Sequence, residues 1–231
     1  LGLRSFAALG GQTVDTITGF AGDLWKYYTD GGPVMHAISL LSIASITTIL
    51  YKMIVFRRVK MDVNEFIAKV RSSLLKGNVQ SAVKACEDYR GPVASIVKTG
   101  LLKFGSPREE VEKTMQNAAI HEVAYLEKYL AVLATITNIA PLLGFLGTVV
   151  GMILSFETIA EQGLNNPGAV AKGISVALLT TAYGLVVAFV TQPFYNFFTS
   201  KIASHMREIE TVSNILLETF DEVERMGATK A

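Results

Sequence analysis

Two stretches of this chain, residues 129–156 and 173–200, contain no Asp, Glu, Lys or Arg over 28 residues each. A helix needs about 20 apolar residues to cross the hydrocarbon core of a bilayer, so each stretch is long enough to span it. Residues 33–56 form a third candidate, in which Lys52 lies near the end and can extend its ammonium toward the membrane surface. Only 18% of the 231 residues are charged, against about one quarter in soluble domains. We predict an all-α integral membrane protein with three transmembrane helices.

The distribution of Lys and Arg predicts which side of the membrane each connecting segment faces. Residues 57–128 carry 13 of these side chains, residues 1–32 carry two, and the loop 157–172 carries one. Because cytoplasmic loops are enriched in Lys and Arg, we expect residues 57–128 inside and the N-terminus outside. The predicted organisation is an extracytoplasmic segment 1–32, a span 33–56, a cytoplasmic helical domain 57–128, a span 129–156, a short extracytoplasmic loop 157–172, a span 173–200 and a cytoplasmic C-terminal helix 201–231.

Breaks and caps predict the helices outside the spans. Apolar residues between 12 and 28 recur at steps of three and four, which favours a short interfacial helix; a poorly ordered tail is the alternative. Ser106, Pro107 and Glu109 fit an N-cap, a first helical position and a capping box. No breaker follows until Pro141, so we expect one helix of roughly 50 residues, about 75 Å long, to run into the second span.

The third span should also continue into the cytoplasm, because neither Pro nor Gly interrupts residues 201–226. Two of the three transmembrane helices would then extend into a cytoplasmic helical domain.

The sequence offers little for catalysis, metal binding or nucleic-acid binding. Tyr125 stands where a second zinc ligand would follow the His121-Glu122 pair. The single cysteine, Cys86, excludes an internal disulfide. We therefore expect no catalytic residue, no cofactor and no metal site.

Small and hydroxyl-bearing residues form one stripe on each of the two long spans, at steps of three and four. The stripe of the second span contains Thr137, Pro141, Gly144, Thr148, Gly151 and Ser155, and that of the third contains Ala177, Thr181, Gly184, Ala188, Thr191 and Tyr195. Two explanations remain open. The stripes are packing surfaces, as the small pair Gly147 and Gly151 favours, or Thr148, Thr180 and Thr181 face a shared polar cavity.

Neither long span contains an ionisable carboxylate, amine or imidazole. If protons cross the membrane here, the group that binds and releases them must come from another chain, or the path must be water. Pro141 and Pro193 each remove a backbone hydrogen bond within a span, for which a simple kink is the plainer explanation.

The motifs PLLGFLGTVVGM (141–152) and GISVALLTTAYGL (173–185) resemble the two signature spans of the MotA/TolQ/ExbB proton-channel family. The segment GGPVMHAISLLSIAS is similar to the first span of the ExbB/TolQ branch, and the Gly91-Pro92 segment followed by a long helix is similar to its cytoplasmic domain. Three spans with an outside N-terminus favour that branch over MotA, which has four. Val176 departs from the branch, because many ExbB and TolQ proteins have Glu there.

The resemblance implies a role for individual residues and partners. Thr148 and Thr181 match the family's pore-facing threonines. Family members form a pentamer around a dimer of single-span partners of the ExbD/TolR/MotB type, and an Asp in the partner's membrane segment takes up and releases the ion. These proteins lie in the bacterial inner membrane, in contact with lipid.

We therefore expect an ion-driven stator subunit of the inner membrane that couples a proton gradient, with sodium as an open alternative, to mechanical work at the cell envelope. Thr148, Thr180 and Thr181 would face the ion pathway. The residues expected to pack and shape the pore are Pro141, Gly144, Gly147, Gly151, Ala177, Gly184 and Ala188. The alternatives are a structural membrane scaffold and a solute channel that acts alone.

Overall fold

The computed structural model describes residues 28–29, 31–58, 62–89, 91–163 and 166–228. This part of the chain contains no β-strand, and its helices include α1 (Gly32–Arg58), α2 (Val63–Leu75), α3 (Val79–Asp88), α4 (Pro92–Leu101), α5 (Arg108–Glu127), α6 (Leu130–Gln162) and α7 (Pro167–Ala228). The interfacial helix predicted between residues 12 and 28 falls almost wholly outside the described residues.

Three regions of the described chain are helical, long and apolar enough to cross a membrane, and they contain α1, α6 and α7. Each includes one of the predicted spans. The all-α fold class with three transmembrane helices is therefore confirmed.

The chain divides into two compact units. The first contains α1 through Ile46 and residues 134–192 of α6 and α7. Its core is formed by Ile38 of α1, Ile136 and Ala140 of α6, and Val187 of α7. Apolar side chains from all three helices thus pack together inside this unit.

The second unit contains residues 47–133 and the part of α7 that follows residue 192. Its larger core joins the C-terminal half of α7 to the short helices α2 to α5, through side chains that include Phe66, Cys86, Val97, Met115 and Leu216. Two of the short helices, α2 and α3, begin at polar caps: Asp62 Oδ1 accepts from the Asn64 and Glu65 amides, and Asn78 Oδ1 accepts from the Ser81 amide.

The expected single helix from residue 107 into the second span is wrong. α5 ends at Glu127, and α6 begins at Leu130. Tyr129 has a φ of 68°, in the left-handed region, which a continuous right-handed helix cannot contain. Pro and Gly are not the cause of this interruption, because neither occurs between residues 108 and 140.

The predicted capping box at the start of α5 is also wrong. Pro107 occupies the N-cap, and no side chain caps the amides of the first turn. The Glu110 and Val111 amides are instead satisfied by the Pro107 carbonyl, at 2.9 and 3.2 Å. The predicted continuity of the third span is confirmed, because α7 runs for 62 residues to Ala228.

Candidate functional site

The candidate residues lie in the first unit, where α6 and α7 pack against each other. Successive contacts along α6 meet earlier and earlier positions on α7, so the two helices run antiparallel. The closest approaches pair Ala140 with Gly184, Gly144 with Thr181, Gly147 with Thr180, and Gly151 with Ala177. We call the buried contact surface formed by Gly144, Gly147, Gly151, Ala177, Thr180 and Gly184 the seam.

Glycine is required in the seam because the two backbones nearly touch. A Cβ atom on Gly184 would lie 2.5 Å from the Ala140 carbonyl oxygen. One on Gly144 would lie 3.0 Å from the Thr181 Cα atom. Backbone atoms cannot swing aside as a side chain can, so larger residues at either position would force the helices apart. Small residues permit this kind of approach between membrane helices.

Thr180 belongs to the seam. It is 1% exposed, and its hydroxyl donates to the Ala177 carbonyl at 2.9 Å and the Val176 carbonyl at 3.2 Å. A Cβ atom on Gly147 would lie only 2.1 Å from the Thr180 Oγ1 atom, so the threonine occupies the space that the missing side chain leaves. Within a single chain, Thr180 therefore acts in packing.

Thr181 lies beside the seam and is half-buried. Its hydroxyl crosses to the other helix and donates to the Gly144 carbonyl at 2.9 Å. The oxygen of such a hydroxyl retains the ability to accept a hydrogen bond. Thr181 thus joins the two helices and can still accept a hydrogen bond from a further group.

Thr148 is also half-buried, and its hydroxyl donates to the Phe145 carbonyl of its own helix at 2.6 Å. It follows the buried Gly144 by four residues, as Thr181 follows the buried Ala177 by four. Four residues at 3.6 per turn rotate a side chain by about 40°. Because the helices are antiparallel, the same rotation brings both threonines to the same side of the seam.

Pro141 and Ala188 lie on that side as well, and both are half-buried. Pro141 precedes Gly144 by three residues, and Ala188 follows Gly184 by four, so both rotate in the same direction from the seam. We call the set Pro141, Thr148, Thr181 and Ala188 the threonine flank. The structure thus separates the ten candidate residues into six that form the seam and four that form the flank.

Ser155 closes one end of the seam. Its hydroxyl lies 2.9 Å from the Gly151 carbonyl and 3.3 Å from the Val170 carbonyl, which belongs to the first turn of α7. A Cβ atom on Gly173 would lie 2.1 Å from the Ser155 Oγ atom. The serine therefore fixes the beginning of α7 against α6.

The chemistry available on the flank is limited to hydrogen bonding. Hydroxyl groups of Thr148 and Thr181 can bind water or a polar partner, but they do not titrate at physiological pH. Among the residues that the structure describes, no three His, Cys, Asp or Glu side chains lie close enough together to hold a metal ion.

Large apolar side chains cover the outer faces of α6 and α7. The exposed members include Leu142, Phe145, Leu146, Val149, Met152, Ile153 and Phe156 on α6, and Leu178, Leu185, Val186 and Phe189 on α7. Such surfaces suit lipid or the helices of other subunits. A single chain leaves them uncovered.

Sequence reasoning missed one polar residue in the second unit. Lys52 was expected to reach the membrane surface, but it is only 1% exposed, and its Nζ atom donates to the Leu126 carbonyl. The sequence feature that could have indicated burial of Lys52 is its position directly before the apolar residues 53–56. The acceptor is 74 positions away and could not be inferred from local spacing.

Comparison with protein families gives a match to the model of the MotA/TolQ/ExbB proton channel family over residues 88–211, which is more than half of the chain. A protein from Methanothermobacter thermautotrophicus, described as a biopolymer transport protein ExbB homolog, is 31% identical over 87% of this chain and 72% of its own length. The biopolymer transport protein ExbB of Pseudomonas putida is 31% identical over 62% of this chain, and the match spans about half (53%) of that protein.

Among solved structures, the C. jejuni MotAB structure contains a chain that superposes with a TM-score of 0.59. The match covers 95% of this chain and 93% of the other, at 16% identity. The similarity at that level of identity concerns the fold, and it extends over nearly the whole chain.

Proposed function

Because this chain belongs to the MotA/TolQ/ExbB proton channel family, we propose that it is the ring-forming subunit of an ion-driven motor in the inner membrane. The family indicates energy transduction of the ExbB and MotA type. In the proposed complex the ion is a proton, and its passage performs mechanical work at the cell envelope.

The observation that carries the proposal is the threonine flank. Thr148 and Thr181 are half-buried on one side of the seam between two membrane helices. In a single chain, their hydroxyl oxygens can still accept a hydrogen bond from a further group. Polar groups within a membrane face the interior of a bundle or a water-filled cavity, because lipid cannot satisfy them. We assign this side of the seam to the ion pathway and the outer apolar faces to lipid and neighbouring subunits.

A partner must supply the titratable group. The two long spans contain no carboxylate, amine or imidazole, and Val176 occupies the position where many ExbB and TolQ proteins have Glu. We propose a single-span partner of the ExbD, TolR or MotB type whose membrane Asp docks against Thr148 and Thr181. The partner dimer would sit inside a homopentamer of this chain. The fold similarity to a chain of the C. jejuni MotAB structure supports a partner of this kind.

The proposed orientation follows the Lys and Arg distribution. Residues 57–128 and 201–231 would lie in the cytoplasm, and residues 1–32 and 157–172 in the periplasm. Within the second unit, the parts of residues 57–128 and 201–231 that pack in its larger core would then form a cytoplasmic helical bundle.

A structural scaffold is the second candidate, and the seam favours it. All six seam residues are buried in contacts within one chain, so packing alone accounts for them. A scaffold would require the seam for helix packing, but its function would not depend on hydroxyl groups on the flank. The two candidates therefore differ in what they predict for Thr148 and Thr181.

The experiment replaces both flank threonines by valine in the full chain, produced with its partner in cells. Valine keeps the branched shape and removes the hydroxyl. We expect the Thr148→Val/Thr181→Val variant to assemble normally and to lose the work that depends on the ion gradient. Thr199→Val is the matched control, because Thr199 lies on α7, is exposed and donates its hydroxyl to the Tyr195 carbonyl of its own helix. Full activity of the double variant would exclude the pore assignment and favour the scaffold.

A further inference from the structure

Lys52 is a buried cation that the proposed ion pathway does not use. It lies near the end of α1, in the second unit, beside an apolar cluster that includes Ile49, Leu126 and Leu130. Its ammonium donates to the Leu126 carbonyl and lies 5.9 Å from the centre of the Phe56 ring. Lys is almost never fully buried unless it is paired. A specific role is therefore expected for it.

The carbonyl that Lys52 binds lies at the interruption between α5 and α6. α5 ends one residue later, at Glu127, and Tyr129 adopts the left-handed conformation before α6 begins at Leu130. The last four carbonyls of a helix have no partner within it. Leu126 itself is 1% exposed, so its surroundings leave little room for water to serve as the partner.

A glycine usually ends a helix in this conformation, because a residue without a Cβ atom enters the left-handed region without strain. Here the residue is a tyrosine, and the local sequence AYLEKYLAVLA (124–134) contains neither Gly nor Pro. Left to itself, such a segment favours a continuous helix, in which the Leu130 amide would bond to the Leu126 carbonyl. Something outside the segment must support the interruption.

Lys52 has the properties that this support requires. A positive charge near a helix C-terminus is favourable because the helix dipole is negative there. Glu127, the last residue of α5, adds a second favourable charge interaction with the ammonium. The neighbouring Tyr51 side chain packs edge-on against Tyr129, with ring centres 5.5 Å apart. Two consecutive residues of α1 thus contact the interruption: Lys52 binds the end of α5, and Tyr51 packs against Tyr129.

We propose that Lys52 is a positioning residue that maintains the break between α5 and α6. It takes the place of the Leu130 amide on the Leu126 carbonyl, and so α1 determines where α5 stops and where the second membrane helix starts. The ion pathway plays no part in this inference, because every contact in it belongs to the second unit.

Amide hydrogen exchange on the full chain in lipid nanodiscs tests the proposal, since it reports local opening and closing of helices. We expect Lys52→Met to change the exchange rates of amides in residues 126–133 by about fivefold or more, with residues 66–101 unchanged. Lys52→Arg, which keeps a charged donor, should stay within about twofold of the unmodified chain. Lys113→Met on α5, where the lysine is exposed, is the matched control and should change nothing at the break.

A second variant makes the test specific to the break. Glycine adopts a φ of 68° readily, so Tyr129→Gly should allow the break to form without the lysine. We expect the double variant Lys52→Met/Tyr129→Gly to return to within about twofold of the unmodified chain at residues 126–133.

Three results would overturn the proposal: unchanged exchange in Lys52→Met, a change spread equally over residues 66–101, or no recovery in the double variant. If Lys52→Met does not fold, the double variant decides alone, and its failure to fold would also overturn the proposal. Because the readout is amide exchange and not ion flux, it is independent of the proposed function.

Discussion

At the scale of single residues, the structure distinguishes two neighbouring threonines that the sequence grouped together. Thr180 and Thr181 differ by about 100° around the helix. This rotation buries the first against Gly147 and leaves the second half-exposed beside the seam. The proposed pore surface therefore rests on Thr148 and Thr181, whereas Thr180 contributes to helix packing within the chain.

The close contact at Gly147 leads to a prediction about stability. Gly147→Ala places a methyl group 2.1 Å from the Thr180 Oγ1 atom, so the helices must shift or the threonine must move. Overpacking of this kind costs about 1–3 kcal/mol. We expect a lower thermal midpoint for the purified protein in detergent, and partial recovery when Thr180→Gly removes the opposing side chain.

Gly168→Ala is the control for this prediction. A Cβ atom there would lie 3.7 Å from its nearest neighbour, the Asn166 side-chain oxygen, which is an ordinary contact. The same glycine-to-alanine change should therefore leave the midpoint nearly unchanged. An equal effect at positions 147 and 168 would contradict the close packing of the seam.

The spacing of small residues predicted part of this site. Gly144, Gly151, Ala177 and Gly184 follow steps of three and four in the sequence, and they lie on surfaces that pack together. The same spacing could not show which edge of the stripe is buried, because that depends on the partner helix. The antiparallel contact supplies this information, and it separates the flank from the seam.

At the scale of helices, the long apolar segments were predicted well and the interruption in one of them was not. α7 continues from the membrane segment to Ala228, as expected from a stretch without breakers after residue 200. The local sequence around Tyr129 does not indicate the break, because Lys52, which supports the break, is far away in sequence. A helix end that is stabilised by a distant side chain cannot be inferred from propensity.

The start of α5 illustrates a competition between two local signals. Ser106, Pro107 and Glu109 fit the pattern of a capping box, but Gly105 has a φ of 89° and reverses the chain just before them. The helix then begins one residue later, and Lys103 forms an ion pair with Glu110 across the turn at 2.7 Å. The pattern located the helix start to within one residue and gave the wrong capping contacts.

At the scale of the whole molecule, the sidedness of the membrane segments can be measured with cysteine labelling. The native Cys86 does not interfere, because it is buried in the core of the second unit and burial raises the pKa of its thiol to about 12. The reactive thiolate is therefore scarce near pH 7.5, and labelling requires unfolding or a much higher pH.

An exposed cysteine on either side of the membrane would then be the reactive thiol. We expect a membrane-impermeant maleimide to label Lys172→Cys in intact spheroplasts and to label Lys201→Cys only after permeabilisation. The unmodified chain controls for Cys86. The reverse pattern would contradict the proposed orientation, with residues 57–128 in the cytoplasm.

Proton conduction by the proposed complex depends on a titratable group that the two long spans of this chain lack. The two long spans carry the threonine hydroxyl groups of the flank and contain no Asp, Glu, Lys, Arg or His. A partner Asp would complete the pathway, and without it the hydroxyl groups of Thr148 and Thr181 can bind only water and the backbone carbonyls that they already contact.

Measurement of proton flux into liposomes tests whether conduction needs the partner's carboxylate. The purified chain is reconstituted alone, with a single-span partner that carries a membrane Asp, and with the same partner after an Asp→Asn change. We predict flux only in the second sample, when a proton gradient is imposed. Flux through the chain alone, or undiminished flux with the Asn partner, would show that conduction does not need the partner's carboxylate.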